Sequence, residues 1–183
     1  MTAIAGLVHD GEVWIGGDSA ATNAHWMQSI REDAKVFRVG EFLFGTSGSI
    51  RLKNILRYTF TAPTPLEGNA CVAYLIRQFI PGLRAAYREA GALHADSGVE
   101  AMHGQMLIGW RGNLYGVESD FQVYKIANEM PFDAIGCGSE LALGSLWTTQ
   151  EMDLTPEVRL TWSLQAAERF SAGVRGPFVI ESV

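Results

Sequence analysis

Cysteine is scarce in this 183-residue chain: only Cys71 and Cys137 occur, without metal-binding spacing, so neither a disulfide framework nor a zinc site organises the fold. Histidine is sparse too, with four residues. His9, His25, His94 and His103 lack the i,i+4 pairing of a helical metal site, and no metal or other cofactor is expected. A basic run is missing too, and the net charge is −6, which argues against a nucleic-acid partner. Long apolar runs are absent: residues Ala3 to Val8 are too few for a signal peptide or membrane span, and the stretch from Cys71 to Leu83 is interrupted by Arg77, Gln78 and Pro81. These absences lead to the expectation of a soluble, cytoplasmic protein. Lysine is rare as well, with Lys35, Lys53 and Lys125 standing against eleven arginines.

What remains has an ordinary globular balance, with 48% hydrophobic and 19% charged residues. The length fits one compact domain, residues 1–183, that buries roughly two-thirds of its unfolded surface.

The first eighteen residues place a hydroxyl at one end and a carboxylate at the other. Two apolar runs, Ala3 to Val8 and Val13 to Ile15, flank Asp10-Gly11, a dipeptide that tolerates the positive φ of a tight hairpin. Such a hairpin brings Asp18 back beside Thr2. Once Met1 is clipped, Thr2 would carry a hydroxyl nucleophile and an α-amine together, so that one residue supplies nucleophile and base.

Beyond it, Ser19 to Asp33 shows no clear period and reads as loop with some extended backbone. Lys35 to Val39 and Phe42 to Phe44 flank Gly40-Glu41 as a second hairpin. A small-residue turn, Gly45-Thr46-Ser47-Gly48-Ser49, then precedes Ile50, Leu52, Ile55, Leu56 and Tyr58 at helical spacing. Pro63 and Pro65 end that helix, and another begins near Asn69, with Pro81 bending it. Gly91 to Gly98 reads as a polar linker. Three strands follow as a meander over Gln105–Trp110, Leu114–Val117 and Phe121–Tyr124.

Residues Phe132 to Ile135 form a further strand, and Gly136-Cys137-Gly138-Ser139 opens a helix bearing Leu141, Leu143, Leu146 and Trp147. Thr155-Pro156-Glu157 starts the last helix, whose apolar face is read as Val158, Trp162, Leu164 and Phe170. A final strand runs from Gly176 to Ile180. The five tryptophans are expected in the core or in subunit contacts. Hairpins within each strand group and paired helices between the groups predict an α+β fold: a four-layer αββα sandwich of two antiparallel sheets flanked by helix pairs.

Several pieces in this order resemble the N-terminal-nucleophile (Ntn) hydrolases of the proteasome β-subunit type, particularly bacterial ATPase-partnered threonine peptidases and bacterial proteasome homologues. They are Thr2 followed by Ala-Ile-Ala, Gly16-Gly17-Asp18-Ser19-Ala20-Ala21-Thr22, Ala34-Lys35-Val36-Phe37, Phe44-Gly45-Thr46-Ser47-Gly48-Ser49 and Ile135-Gly136-Cys137-Gly138-Ser139. The resemblance implies that Thr2 acts as nucleophile and base. Lys35 would lower the pKa of the hydroxyl and amine by its charge, and Asp18 would hold Lys35 as an ion pair. Gly48 would offer its backbone N–H to the oxyanion. Thr22, Gly48 and Ile50 would contact the substrate, with Thr22 and Gly48 flanking it as an added strand. Cys137 and Ser139 would support the site, Cys137 standing where the family often has serine. The last helix reads Ala167-Glu168-Arg169-Phe170-Ser171-Ala172-Gly173, without the aspartate of many proteasome subunits.

The implied activity is a threonine endopeptidase that cuts unfolded polypeptides inside a closed homo-oligomer, two stacked hexameric or heptameric rings, with an AAA+ ATPase unfoldase as a possible partner. Two alternatives remain open: a small-molecule amidase of the same fold, and an inactive ring-forming relative that retains Met1.

Overall fold

The computed structural model describes residues 1–22, 27–65, 71–96 and 98–183. The chain opens with β1 (Ile4–His9) and β2 (Glu12–Gly17), paired so that His9 faces Glu12 across the two-residue Asp10-Gly11 turn. Both turn residues have positive φ, 49° and 80°, the geometry that matches strand twist in a two-residue hairpin. Strands β3 (Ala20–Thr22) and β4 (Gln28–Ile30) form a small hairpin, so the region from Ser19 to Asp33 holds paired extended backbone; Asn23, His25 and Trp26 lie outside the described residues.

Next come β5 (Val36–Val39) and β6 (Phe42–Gly48), joined by Gly40-Glu41, and then α1 (Ile50–Tyr58). The small residues Gly45 to Gly48, read as a turn, belong to the strand. Their backbone continues the ladder to the later strand Gly104–Trp110, from Gly45 opposite Leu107 to Gly48 opposite Gly104. Ser49 caps α1, its hydroxyl accepting from Arg51 N, which satisfies one of the free donors of the first turn.

The next helix is described from Cys71, and its expected start near Asn69 lies outside the described residues. It comprises α2 (Cys71–Tyr74), a π-helical turn (Leu75–Phe79) and α3 (Ile80–Glu89). The wide turn ends just before Pro81, with Ile80 N–H bonded to Leu75 O. Proline lacks a donor and its ring crowds the preceding turn, so the ladder loosens here.

The polar linker expected over Gly91 to Gly98 is instead a hairpin of β7 (Leu93–Asp96) and β8 (Val99–Met102). Its strands are four residues each, LHAD and VEAM, too short to establish a period. The pairing stacks His94 on His103, with ring centroids 3.7 Å apart and 5° between planes.

The meander consists of β9 (Gly104–Trp110), β10 (Asn113–Val117) and β11 (Val123–Lys125). Its third strand starts later than expected because Phe121 sits in a turn at φ 70°. Strand β12 (Phe132–Ile135), helices α4 (Ser139–Thr148) and α5 (Pro156–Phe170), and β13 (Val179–Ser182) complete the chain. Thr155 caps α5 through its hydroxyl to Val158 N.

Two larger sheets result, both antiparallel: β12-β1-β2-β13 and β11-β10-β9-β6-β5. Three apolar clusters hold the elements together. Between the sheets, Ile4, Val13 and Ile15 meet Val36, Leu43, Leu107 and Leu114. Gly45 makes that approach possible, since a Cβ there would lie 2.5 Å from Ile4 Cγ2 and 2.8 Å from Ile15 Cγ2. A second cluster joins Phe37, Phe42 and Phe44 to Leu52 and Leu56 of α1 and to Tyr74, Phe79 and Leu83. Phe42 is its hub, 5.2 Å from the Phe79 ring and 5.0 Å from Trp110. A third sets Ala3, Ala5, Leu7, Phe132 and Ala134 against Ala142 and Leu146 of α4 and Leu160, Leu164 and Ala167 of α5. Each fully buried large side chain contributes about 1.5–3 kcal/mol.

Helix α5 departs from its expected face. Trp162 and Phe170 are exposed, and the buried row is Pro156, Leu160, Ser163, Leu164 and Ala167 with Arg159. Trp147 of α4 is exposed too, so of the described tryptophans only Trp110 is fully in the core; Trp14 is half-buried, and Trp26 lies outside the described residues. No described helix is long and apolar enough to cross a membrane.

Candidate active site

The Asp10-Gly11 hairpin returns the end of β2 to the start of β1, where Asp18 N donates to Ala3 O at 3.2 Å. The Asp18 side chain is fully buried, and its oxygens are satisfied by four donors. Oδ1 accepts from Ala3 N at 3.0 Å and Lys35 Nζ at 2.7 Å; Oδ2 accepts from Ala20 N at 3.1 Å and Arg175 N at 3.4 Å. A buried carboxylate needs such partners, because desolvation without them costs several kcal/mol.

Lys35 enters just before β5, where its carbonyl accepts from Thr46 N at 3.0 Å. Burial lowers its pKa below the usual lysine value by penalising the ammonium, and the contact with Asp18 only partly offsets this. The ammonium also donates to Met1 O at 3.2 Å.

Thr2 is buried beside this pair. Its hydroxyl donates to Met1 O at 2.6 Å and its backbone N–H to Cys137 Sγ at 3.3 Å. In this form, with Met1 attached, Thr2 carries an amide rather than a free amine. Met1 also lies over Gly173, where any Cβ would collide with it.

Two glycine turns enclose Thr2. At the end of β6, Gly48 has φ +104° and abuts the His103 carbonyl so closely that no Cβ fits. After β12, Gly136 has φ +91° and lies against the Thr2 carbonyl and Ser47 Oγ. Gly138 N donates to Thr2 O at 3.2 Å, and Cys137 Sγ reaches the same oxygen at 3.4 Å and Ser171 Oγ at 3.7 Å. Ser139 starts α4, and no hydrogen bond among the described residues joins its hydroxyl to Thr2.

Thr2, Lys35, Gly48, Thr22 and Ile50 line one cleft of about 90 Å³ together with Met1, Ser19, Arg31, Asp33, Thr46 and Lys53. Asp18 lies beneath that surface, and Cys137 and Ser139 are not among its lining residues. Thr22 Oγ1 is buried without a hydrogen-bond partner.

Lys53 and Asp33 escaped the sequence reading. Lys53 Nζ lies 3.2 Å from Asp33 Oδ2 and 3.0 Å from Asp33 O, and burial lowers its pKa despite that pairing. A signal existed: Lys53 falls one turn from Leu56 and beside Leu52, on the buried row of α1. Among the described residues no group of three or more His, Cys, Asp or Glu side chains converges as a metal site would require.

Comparison with known proteins places the fold. The chain has the architecture of the proteasome β-subunit-like Ntn hydrolases, a mixed α+β fold with antiparallel sheets. Thiobacillus denitrificans BPH in complex with epoxomicin superposes with a TM-score of 0.84 at 21% identity, covering 100% of this chain and 98% of that one. Eukaryotic HslV from Trypanosoma brucei matches with a TM-score of 0.69 at 14% identity, covering 99% and 98%. Anbu (ancestral β-subunit) from Yersinia bercovieri matches with a TM-score of 0.66 at 11% identity, covering 99% and 81%. No protein-family model and no curated protein sequence matches the chain.

Proposed function

We propose that the chain is a threonine peptidase whose nucleophile is Thr2 after removal of Met1. The observation that carries this reading is the convergence of a buried Asp18–Lys35 pair, 2.7 Å apart, on the hydroxyl-bearing second residue. Cleavage of the Met1–Thr2 bond frees the α-amine, which takes the hydroxyl proton as the oxygen attacks a peptide carbonyl. Lys35 stabilises the deprotonated oxygen by its charge, and Asp18 holds Lys35 in place. The Gly48 N–H donates to the oxyanion. The protonated amine then returns its proton to the leaving amine, and water releases the acyl group from Thr2.

Thr22 and Gly48 hold the substrate as an added strand through main-chain hydrogen bonds, with Ile50 contacting a side chain. Cys137 supports the Thr2 backbone from below. The three apolar clusters favour reading the two sheets and two helix groups as the four layers of the Ntn-hydrolase fold. The reading extends to a cytoplasmic homo-oligomer of two stacked hexameric or heptameric rings, in which enclosure restricts cleavage to threaded polypeptides, served by an AAA+ unfoldase. Similarity to HslV and Anbu supports an oligomer.

The test is mass spectrometry of the native N-terminus combined with epoxomicin, the ligand of the BPH structure, as an active-site probe. The mature protein is expected to begin at Thr2 and to be labelled, and Thr2→Ala to lose labelling while keeping its assembly. Retention of Met1 in the native protein, or undiminished labelling of Thr2→Ala, overturns the mechanism.

A further inference from the structure

The cleft that Thr2 lines also holds a charged recess of Arg31, Asp33, Thr46, Ile50 and Lys53. Lys53 is only 3% exposed, although a lysine is among the residues least often buried. Its ammonium is held by the carbonyl and carboxylate of Asp33 at 3.0 and 3.2 Å. Arg31 fixes its backbone through N–H to Ser19 O at 3.1 Å, yet its guanidinium joins none of the ion pairs among the described residues. Arg31 also lines the neighbouring groove with Ala21, Thr22 and Ile50, so it stands where the two hollows meet.

Apart from the Asp18–Lys35 pair, the recess therefore holds two cations and one carboxylate, and that carboxylate is committed to Lys53. The surplus is positive. Burial and the charges of Arg57 and Arg31 work against the Lys53 ammonium, so an incoming anion relieves a cost already present. An apolar side chain would strip water from these cations without pairing them, and a basic one would face two like charges.

We infer that this recess selects an acidic side chain, aspartate or glutamate, on the residue whose carbonyl Thr2 attacks. The placement follows from the shared lining: Thr2, Thr22 and Gly48 border the same cleft as Arg31, Thr46, Ile50 and Lys53, so a peptide with its carbonyl at the Gly48 N–H has that residue's side chain within reach of them. Arg31 and Lys53 are thus specificity-determining residues, and Asp33 positions Lys53. The inference rests on the peptidase reading above.

The experiment compares kcat/KM of the mature protein on fluorogenic peptides that differ only at the residue before the scissile bond: glutamate, glutamine, leucine and arginine. Glutamate is expected to exceed its isostere glutamine by about tenfold or more. Arg31→Glu, at an exposed position that the fold tolerates, is expected to erase that ratio and raise cleavage after arginine; Lys53→Gln erases it as well. Equal rates after glutamate and glutamine, or a ratio unmoved in Arg31→Glu, overturn the selectivity. Cleavage after leucine but not after glutamate removes the selectivity and leaves the peptidase intact. Failure to cut any peptide, by protein whose N-terminus is proven to be Thr2, removes both readings.

Discussion

The two glycine turns that meet at Thr2 are alike in sequence and opposite in use. Each closes a strand with a positive-φ glycine and opens a helix. At Gly48 the strand ends against the His103 carbonyl, Ser49 supplies a side-chain cap, and the turn lines the cleft. At Gly136 the turn faces inward, clasps the Thr2 carbonyl with help from Gly138 N, and its helix has no side-chain cap. One turn presents backbone to whatever enters; the other grips the residue that would react. Helix starts are built from the same small residues in both cases, so composition alone does not tell a donor turn from a clamp.

The comparison breaks most sharply at Gly136. In Gly136→Ala the new methyl meets the Thr2 carbonyl in a strained conformation, so Thr2 shifts. Loss of peptidase activity by more than about 10³-fold and destabilisation of about 2–3 kcal/mol are expected, read from kcat/KM and urea unfolding. Gly48→Ala strains the other turn without touching the Thr2 carbonyl. Activity is expected to fall about 10²-fold, with epoxomicin still reacting slowly at Thr2, which would separate donor from clamp. Equal damage to probe reactivity in both variants would show that the turns share one role.

Lys35→Met comes next on the stability scale, because it leaves Asp18 buried with backbone donors but no counter-charge. A loss of about 2 kcal/mol accompanies the loss of activity. The same lysine predicts a pH effect of defined sign. Its folded-state pKa is lowered by burial, below the usual lysine value. Between the folded and unfolded values the unfolded chain binds more protons, so stability rises with pH across that window. Activity falls across it as the ammonium is lost, and parallel kcat/KM and unfolding measurements should diverge there.

The smallest effects are at the caps and supports. Ser49→Ala removes the α1 cap and should cost about 1 kcal/mol with little change in chemistry. Cys137→Ser exchanges a thiol 3.3 Å from Thr2 N for a hydroxyl and should hold kcat/KM within about threefold.

Much of this was legible in residue order. The Asp10-Gly11 turn, the alternation around it and the register of two apolar runs put Asp18 beside Ala3 before any tertiary contact is considered, since a two-residue hairpin leaves no other pairing. The strand and helix order followed from the periodicity, and the glycine junctions from small-residue clusters. The β7–β8 hairpin was hidden because its strands are only four residues each, too short to show a period. The exposed Trp162 and Phe170 of α5 were hidden because size suggests burial, whereas the helix packs on sheet alanines through Leu160, Leu164 and Ala167.

The sequence by itself determined the hairpin, the positions of its polar ends and the rarity of lysine that made Lys35 conspicuous. The family resemblance implied the Asp18–Lys35 pair; only the tertiary structure decided its distance and the other charge contacts. Lys35 reaches Asp18 across two sheets, Lys53 finds Asp33 from a helix, and Arg31 joins no ion pair among the described residues, because charge pairing depends on distances of a few ångströms between segments whose separation along the chain carries no such information.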